Sequence, residues 1–221
     1  MPHSNHLNGV VFDFDGLMVN TEQIYDEVGD ELLRRRGKQF SRELKDQMMG
    51  RPAVAAIQVM IDFHSLDDSV QNLIAESDEI FNRMLPLRLE PMPGLFKLLE
   101  ELMAVSIPFG IATSSRPAFV ERALELVEIK ASFQFILTGE DVVKGKPDPE
   151  IYHKAVAKLE LPSESVLVLE DSEVGCRAAV AAGTHTIAVP GDHSRHHSFP
   201  GVSLVADTLA DPRIYDILRL S

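Results

Sequence analysis

The chain of 221 residues contains one cysteine, Cys176, so no disulfide can form within it, which fits a reducing compartment. Positive charge is scarce: 21 Lys and Arg stand against 34 Asp and Glu, a formal net charge of -13. That sign disfavours a nonspecific grip on nucleic acid or on an anionic membrane, and a phosphorylated ligand would need a local cation. No apolar run approaches the ~20 residues needed to span a bilayer. The opening MPHSNHLNG is polar and lacks the apolar stretch of a signal peptide. Repeats and low-complexity tracts are also missing. The expectation is a cytoplasmic globular protein, with 45% hydrophobic and 25% charged residues. Its length suits one large domain, or a core with a smaller insert, and a core without staples.

What the chain does have is a recurring short, β-branched, apolar segment. VVFD (10–13), PFGIATSS (108–115), FQFILTGED (133–141), SVLVLEDS (165–172) and THTIAVPG (184–191) are of this type, and VSLVA (202–206) is a weaker sixth. Helical patterns separate the later ones, with Pro117 and Pro149 near helix starts and Gly183 at a helix stop. Doubly buried strands alternating with helices predict an α/β fold, a Rossmann-like parallel sheet. From Thr21 to Leu85 the pattern is helical throughout, and PLRLEPMPG, with three prolines, reads as a stiff connector. The predicted organisation is an α/β core of residues 1–20 and 86–221, with an all-helical cap of residues 21–85 inserted.

Ligands of open α/β sheets bind at the carboxyl ends of the strands. The first predicted strand ends in Asp13, with Asp15 two residues on. The second ends in Thr113, Ser114 and Ser115, the fourth in Glu170 and Asp171, and Lys144 and Lys146 follow the third. Crowded carboxylates repel and lose hydration, so something must compensate them. An all-oxygen donor set suits Mg²⁺. A phosphoryl group beside such an ion would place its other oxygens near Lys146 and Thr113, and its transfer depends mostly on positioning and charge compensation.

DFDGLMVNT, ATSS, KGKPDP and LEDSEVG, in this order, resemble the four motifs of the haloacid dehalogenase-like (HAD) phosphohydrolases. The resemblance is to the helical-cap branch, which includes pseudouridine-5'-phosphatases, 2-deoxyglucose-6-phosphatases and β-phosphoglucomutases, and it spans about Gly9 to Val205. It implies a phosphoric monoester hydrolase with Asp13 as nucleophile and Asp15 as general acid and base. Thr113 and the Ser114 backbone N–H would hold the phosphoryl group, and Lys146 would stabilise its charge. Asp13, the Asp15 carbonyl and Asp171 would hold Mg²⁺, with Glu170 at the metal or its waters. The family's specificity loop falls at MMGRPAVAA, making Met49, Gly50 and Arg51 candidates to touch the leaving group. The implied partner is a small phosphorylated metabolite, with no nucleic acid or membrane, for a monomer or weak homodimer.

Two departures bear on this. Asn20 stands where the first motif usually continues to an aspartate, which implies a retuned cap hinge. The resembled mutases carry a histidine where this chain has Tyr25 and an arginine where it has Ala53, so water is the favoured acceptor. A sugar-phosphate mutase, a non-catalytic phosphometabolite-binding protein and a dehalogenase are the alternatives, and a dehalogenase would not need Asp15. Outside the motifs, Arg34, Arg35 and Arg36 complement the end of a helix. Cys176 reads as a small core residue, and GDHSRHH, with His193, His196 and His197, as a mobile loop whose spacing fits no common zinc pattern.

Overall fold

Val10, Val11 and Phe12 are fully buried, as a strand covered on both faces requires, and with Gly9 they form β1 (Gly9–Phe12). The computed structural model describes residues 6–48 and 53–220. After β1 come α1 (Thr21–Arg34), α2 (Arg42–Met48), α3 (Ala53–His64), α4 (Val70–Arg88) and α5 (Leu95–Ala104). β2 (Phe109–Ala112), α6 (Pro117–Leu126), β3 (Ile136–Leu137) and α7 (Glu150–Leu159) follow. The chain continues through β4 (Val166–Glu170), α8 (Glu173–Ala181), β5 (His185–Ala188), β6 (Leu204–Val205) and α9 (Pro212–Leu218). It packs as two compact units, Thr21–Leu89 and the remainder, Met1–Asn20 with Glu90–Ser221. Among the described residues no helix is long and apolar enough to cross a membrane.

The larger unit holds a six-stranded parallel sheet in the order β3-β2-β1-β4-β5-β6. The chain leaves the centre at β1, builds outward through β2 and β3, and returns to β4 on the other side of β1. That reversal opens a crevice between the carboxyl ends of β1 and β4. Beneath it, Val11, Val168, Tyr152, Ala155 and Ala178 belong to one buried cluster that fixes α7 and α8 on the sheet. β3 is only two residues long, although the pattern of 133–141 suggested a full strand. Thr138 ends it by capping a short turn, its hydroxyl and N–H both donating to Asp141 Oδ2 at 2.8 Å.

The smaller unit is helical. Ile24, Val28 and Leu32 of α1 and Leu73 and Ile80 of α4 are buried, and α4 is capped by Ser69, whose Oγ accepts from Asn72 N at 3.1 Å. Arg35 and Arg36 do more than complement a helix end. Arg36 Nη1 donates to Leu32 O at 2.9 Å, while its Nη2 bridges Glu76 and Asp68 at 2.6 and 2.8 Å. Arg35 also reaches Glu76, at 2.8 Å, so the pair clamps α1 to α4. The connector begins later than its prolines suggested: α4 runs on through Pro86 to Arg88, and the Leu89 N–H still donates to Leu85 O at 2.9 Å.

Candidate active site

The pairing of β1 with β4 continues one residue past Phe12, because Asp13 N donates to Leu169 O at 3.0 Å. Asp13 is thereby set at the mouth of the crevice with only 7% exposure. The chain then turns tightly, with Gly16 N donating to Val19 O at 2.9 Å and Gly16 at φ +75°. A side chain at 16 would be strained by that φ, and its Cβ would lie 2.4 Å from Asp171 Oδ2. Asn20 closes the segment: its Oδ1 accepts from Glu90 N at 2.7 Å and its N–H donates to Glu90 O at 3.1 Å. An amide thus staples the chain leaving the turn to the chain that returns at Glu90.

Lys146 spends its three ammonium protons inside the site. It donates to Asp13 Oδ1 at 2.6 Å, Glu170 Oε1 at 2.7 Å and Ala112 O at 3.1 Å, and its side chain is 7% exposed. The loop before it is shaped by Glu150, whose carboxylate accepts from Val143 N and Lys144 N and from Lys154 Nζ. The Lys154 contact and those two N–H groups hold Glu150 down to about 2.

Glu170 is fully buried, and both its oxygens are engaged. Oε1 accepts from Lys146 and from Tyr152 Oη at 2.8 Å, and Oε2 accepts from Ser172 N and Oγ at 3.1 and 2.9 Å. Those four bonds use the acceptor capacity of a carboxylate. Ser172 Oγ also caps α8 by accepting from Gly175 N at 3.1 Å. A Cβ at Gly175 would fall 1.6 Å from Glu170 Oε1, and the pinned carboxylate has no open place to go. Gly175→Ala is therefore expected to destabilise the fold by about 1–3 kcal/mol and to lower turnover with it. Denaturant melts beside initial rates check this, and wild-type values in both would refute the packing argument.

Asp15 sits across the crevice with two hydroxyls on one oxygen. Thr113 Oγ1 and Ser115 Oγ donate to Asp15 Oδ2 at 3.2 and 2.6 Å, and Thr113 Oγ1 itself accepts from Ser115 N at 3.0 Å. Thr113 is thus tied to Asp15 in this state. Thr113, Ser114 and Lys146 line a cavity of about 210 Å³ together with Gly139, Val142 and Gly145. Ser115 and Tyr152 were not among the expected site residues. The ATSS run pointed to the first, and nothing in the sequence pointed to the second. Met49, Gly50 and Arg51 lie outside the described residues.

Asp13, Glu170 and Asp171 are buried, and one carboxylate oxygen from each lies within 4.8 Å of the others. Burial pushes the Asp13 carboxyl well above its usual range. The adjacent Lys146 opposes this, and the charges of Glu170, Asp171 and Asp15 add to it. Burial would lift Glu170 too, yet Lys146 and its other donors bring it below the ordinary value. Lys146 is drawn down by burial but held well above the lysine range by Asp13 and Glu170. Lys146 thus bonds two of the three buried carboxylates, and it holds Glu170 low but not Asp13. An oxygen-only donor set with surplus negative charge is what a hard divalent cation fits.

The segment expected to be a mobile loop is tied to this centre. His193 Nε2 lies 2.8 Å from Asp171 Oδ2, and Ser194 Oγ donates to Asp171 O at 2.7 Å. No spacing rule marks that contact, because it depends on where β5 leads.

Residues 10–189 match the family model described as haloacid dehalogenase-like hydrolase. A phosphorylated carbohydrates phosphatase of Thermotoga maritima is 30% identical over 181 residues, covering 82% of this chain and 84% of that protein. A probable pseudouridine-5'-phosphatase of Drosophila melanogaster is 31% identical over 207 residues, covering 91% and 89%. Among solved structures, CbbY from Rhodobacter sphaeroides in complex with phosphate superposes with a TM-score of 0.74 at 25% identity, covering 92% of this chain and 95% of that one.

Proposed function

The chain belongs to the haloacid dehalogenase-like hydrolases and is a phosphoric monoester hydrolase; from that premise we propose that it is a cytoplasmic, Mg²⁺-dependent phosphatase of small sugar or nucleoside-type monophosphates. The observation that carries the reading is the shared Lys146, bonded at once to Asp13 and to the fully engaged Glu170 at the sheet's crevice. Asp13, the Asp15 carbonyl and Asp171 would hold the cation, while Glu170 orients Lys146 from the side. When bound, the ion would supply the positive charge that keeps Asp13 ionised and draws off charge from the phosphoryl oxygens.

Asp13 attacks phosphorus, forming the Asp13–phosphoryl bond as the ester P–O bond breaks, and the leaving oxygen takes a proton from Asp15. Thr113 and Ser115 both donate to Asp15 Oδ2, so the transferable proton belongs on Oδ1. Water then gives a proton back to Asp15, and its oxygen displaces Asp13 and releases inorganic phosphate. Lys146 and the Ser114 N–H hold the phosphoryl oxygens in both steps. The inserted helical residues 21–85 are proposed to act as the cap that sets substrate specificity. Tyr25 on α1, stacked on Phe81 with ring centroids 4.7 Å apart, stands where the mutase reading needs an imidazole, which favours water as acceptor.

The test is phosphate release across sugar phosphates, nucleoside monophosphates and pseudouridine 5'-phosphate, with Mg²⁺ and then with EDTA. A preferred substrate, silenced by chelator and restored by Mg²⁺, is the expected result. Full activity in EDTA would remove the cation, and silence on the whole panel would remove the phosphatase.

A further inference from the structure

We infer that His193 is a positioning residue that fixes the Asp171 carboxylate for the divalent cation; the inference rests on the cation reading proposed above. The loop carrying it leaves β5 beside the end of β4, where Val189 N donates to Glu170 O at 2.7 Å. It then folds on itself, with Ser194 N and Arg195 N donating to Gly191 O at 3.1 and 2.9 Å and His197 N to Ser194 O at 2.9 Å. Those turns aim two consecutive side chains at one residue. His193 Nε2 meets the Asp171 carboxylate at Oδ2, 2.8 Å away, and Ser194 Oγ grips the Asp171 main-chain carbonyl at 2.7 Å.

The place is enclosed. Ser194 is fully buried, and the side chains of His193 and Asp171 are 13% and 5% exposed. Gly16 packs against the pair: a Cβ there would be 2.4 Å from Asp171 Oδ2 and 3.2 Å from His193 Cε1. The imidazole therefore wedges Asp171 against the turn that carries the Asp15 carbonyl. A carboxylate at a strand end would otherwise have to be oriented when the ion arrives. Hydrogen bonds behind ligating groups supply that orientation in metal sites, and losing one costs about 10–100-fold in metal affinity or activity. His196 and His197 face each other instead, with ring centroids 4.5 Å apart, so only one histidine of this segment serves the acidic centre.

The experiment measures Mn²⁺ binding calorimetrically to the whole chain, wild type beside His193→Ala, His193→Gln and His193→Asn, and Mg²⁺ titrations of phosphate release on the same proteins. The alanine variant is expected to bind Mn²⁺ about tenfold or more weaker and to need correspondingly more Mg²⁺, with turnover at saturating Mg²⁺ within about twofold of wild type. The Gln variant, whose amide N–H spans the distance, is expected to restore affinity, and the shorter Asn variant is not. Equal Mn²⁺ affinity in wild type and a folded His193→Ala overturns the inference while leaving the phosphatase reading intact. So does a turnover loss that saturating Mg²⁺ does not repair. Should the alanine variant fail to fold, equal affinities of the Gln and Asn variants overturn it. A wild type that binds no Mn²⁺ removes the cation reading, and the role of His193 with it.

Discussion

Asp13→Asn is expected to abolish phosphate release, by at least about 10³-fold, and, with the cation chelated, to raise the melting temperature. The two effects share one cause. Asp13 is buried, its carboxyl is held well above 3.8, and Lys146 is shared with Glu170. A carboxyl whose folded value is raised binds more protons in the folded state. Stability is therefore lost as pH climbs from the unfolded value through the folded one. Asparagine carries no charge to lose hydration, and Lys146 keeps Glu170 and the Ala112 carbonyl. Each kcal/mol relieved would appear as about 2–4 °C in a chain of this size.

Cation linkage then separates this from a generic surface effect. Mg²⁺ at a hundredfold excess over its dissociation constant should stabilise the wild type by about 2.7 kcal/mol, and less as protons compete at low pH. The Asn variant should lose most of that response. Melting curves of both proteins in EDTA and in Mg²⁺, across about pH 5 to 8, decide the matter. An active variant removes Asp13 as nucleophile. An inactive variant that melts lower in EDTA and responds normally to Mg²⁺ removes the buried-charge argument.

The sheet was legible because its strands are buried on both faces. Val10–Phe12 and Val166–Leu169 are continuous apolar runs with no exposed position, and such runs followed by helical periodicity leave few topologies. Short edges are harder to read. In β3 only Ile136 and Leu137 keep strand register, although Gln134 N still donates to Phe109 O, and the strand stops where Thr138 turns its N–H and hydroxyl to Asp141. Pro86 was read as part of a connector, whereas α4 carries it because hydrogen bonding resumes behind it, from Leu89 to Leu85.

Within the site, the groups at strand ends were legible because strand ends converge whatever the loops do. Asp13, Thr113, Glu170 and Asp171 could be placed at one edge by counting strands. Tyr152 and His193 could not, since their partners are 18 and 22 residues away along the chain and are met only after helices and loops have set direction. Tyr152 illustrates the limit. Its place on α7 predicts a core aromatic, and it is one, but its hydroxyl also supplies one of the four donors that fix Glu170.

Lys146→Met is expected to lose turnover as completely as Asp13→Asn but to move stability in the opposite direction. Methionine fills comparable length without the charge, leaving Asp13 and Glu170 buried without their shared ammonium. Removing one member of a buried pair costs about 3–5 kcal/mol, which corresponds to a fall of about 6–20 °C. The pH dependence follows from the signs. The folded value of Lys146 lies well above 10.5, so its stabilisation is complete below the unfolded value and intact at neutral pH. Without it, Glu170 loses the charge that holds its carboxyl low and joins Asp13 above the ordinary range. The variant should then gain stability relative to wild type as pH falls. Adding Asp13→Asn should recover part of the loss, because one of the two stranded charges is gone. Thermal melts of the two single variants and the double variant near pH 5 and pH 8 read this directly. A Lys146→Met protein that melts like wild type at both values would show that the lysine is not what balances these carboxylates. In that case its place in the chemistry would have to be argued from substrate contact alone.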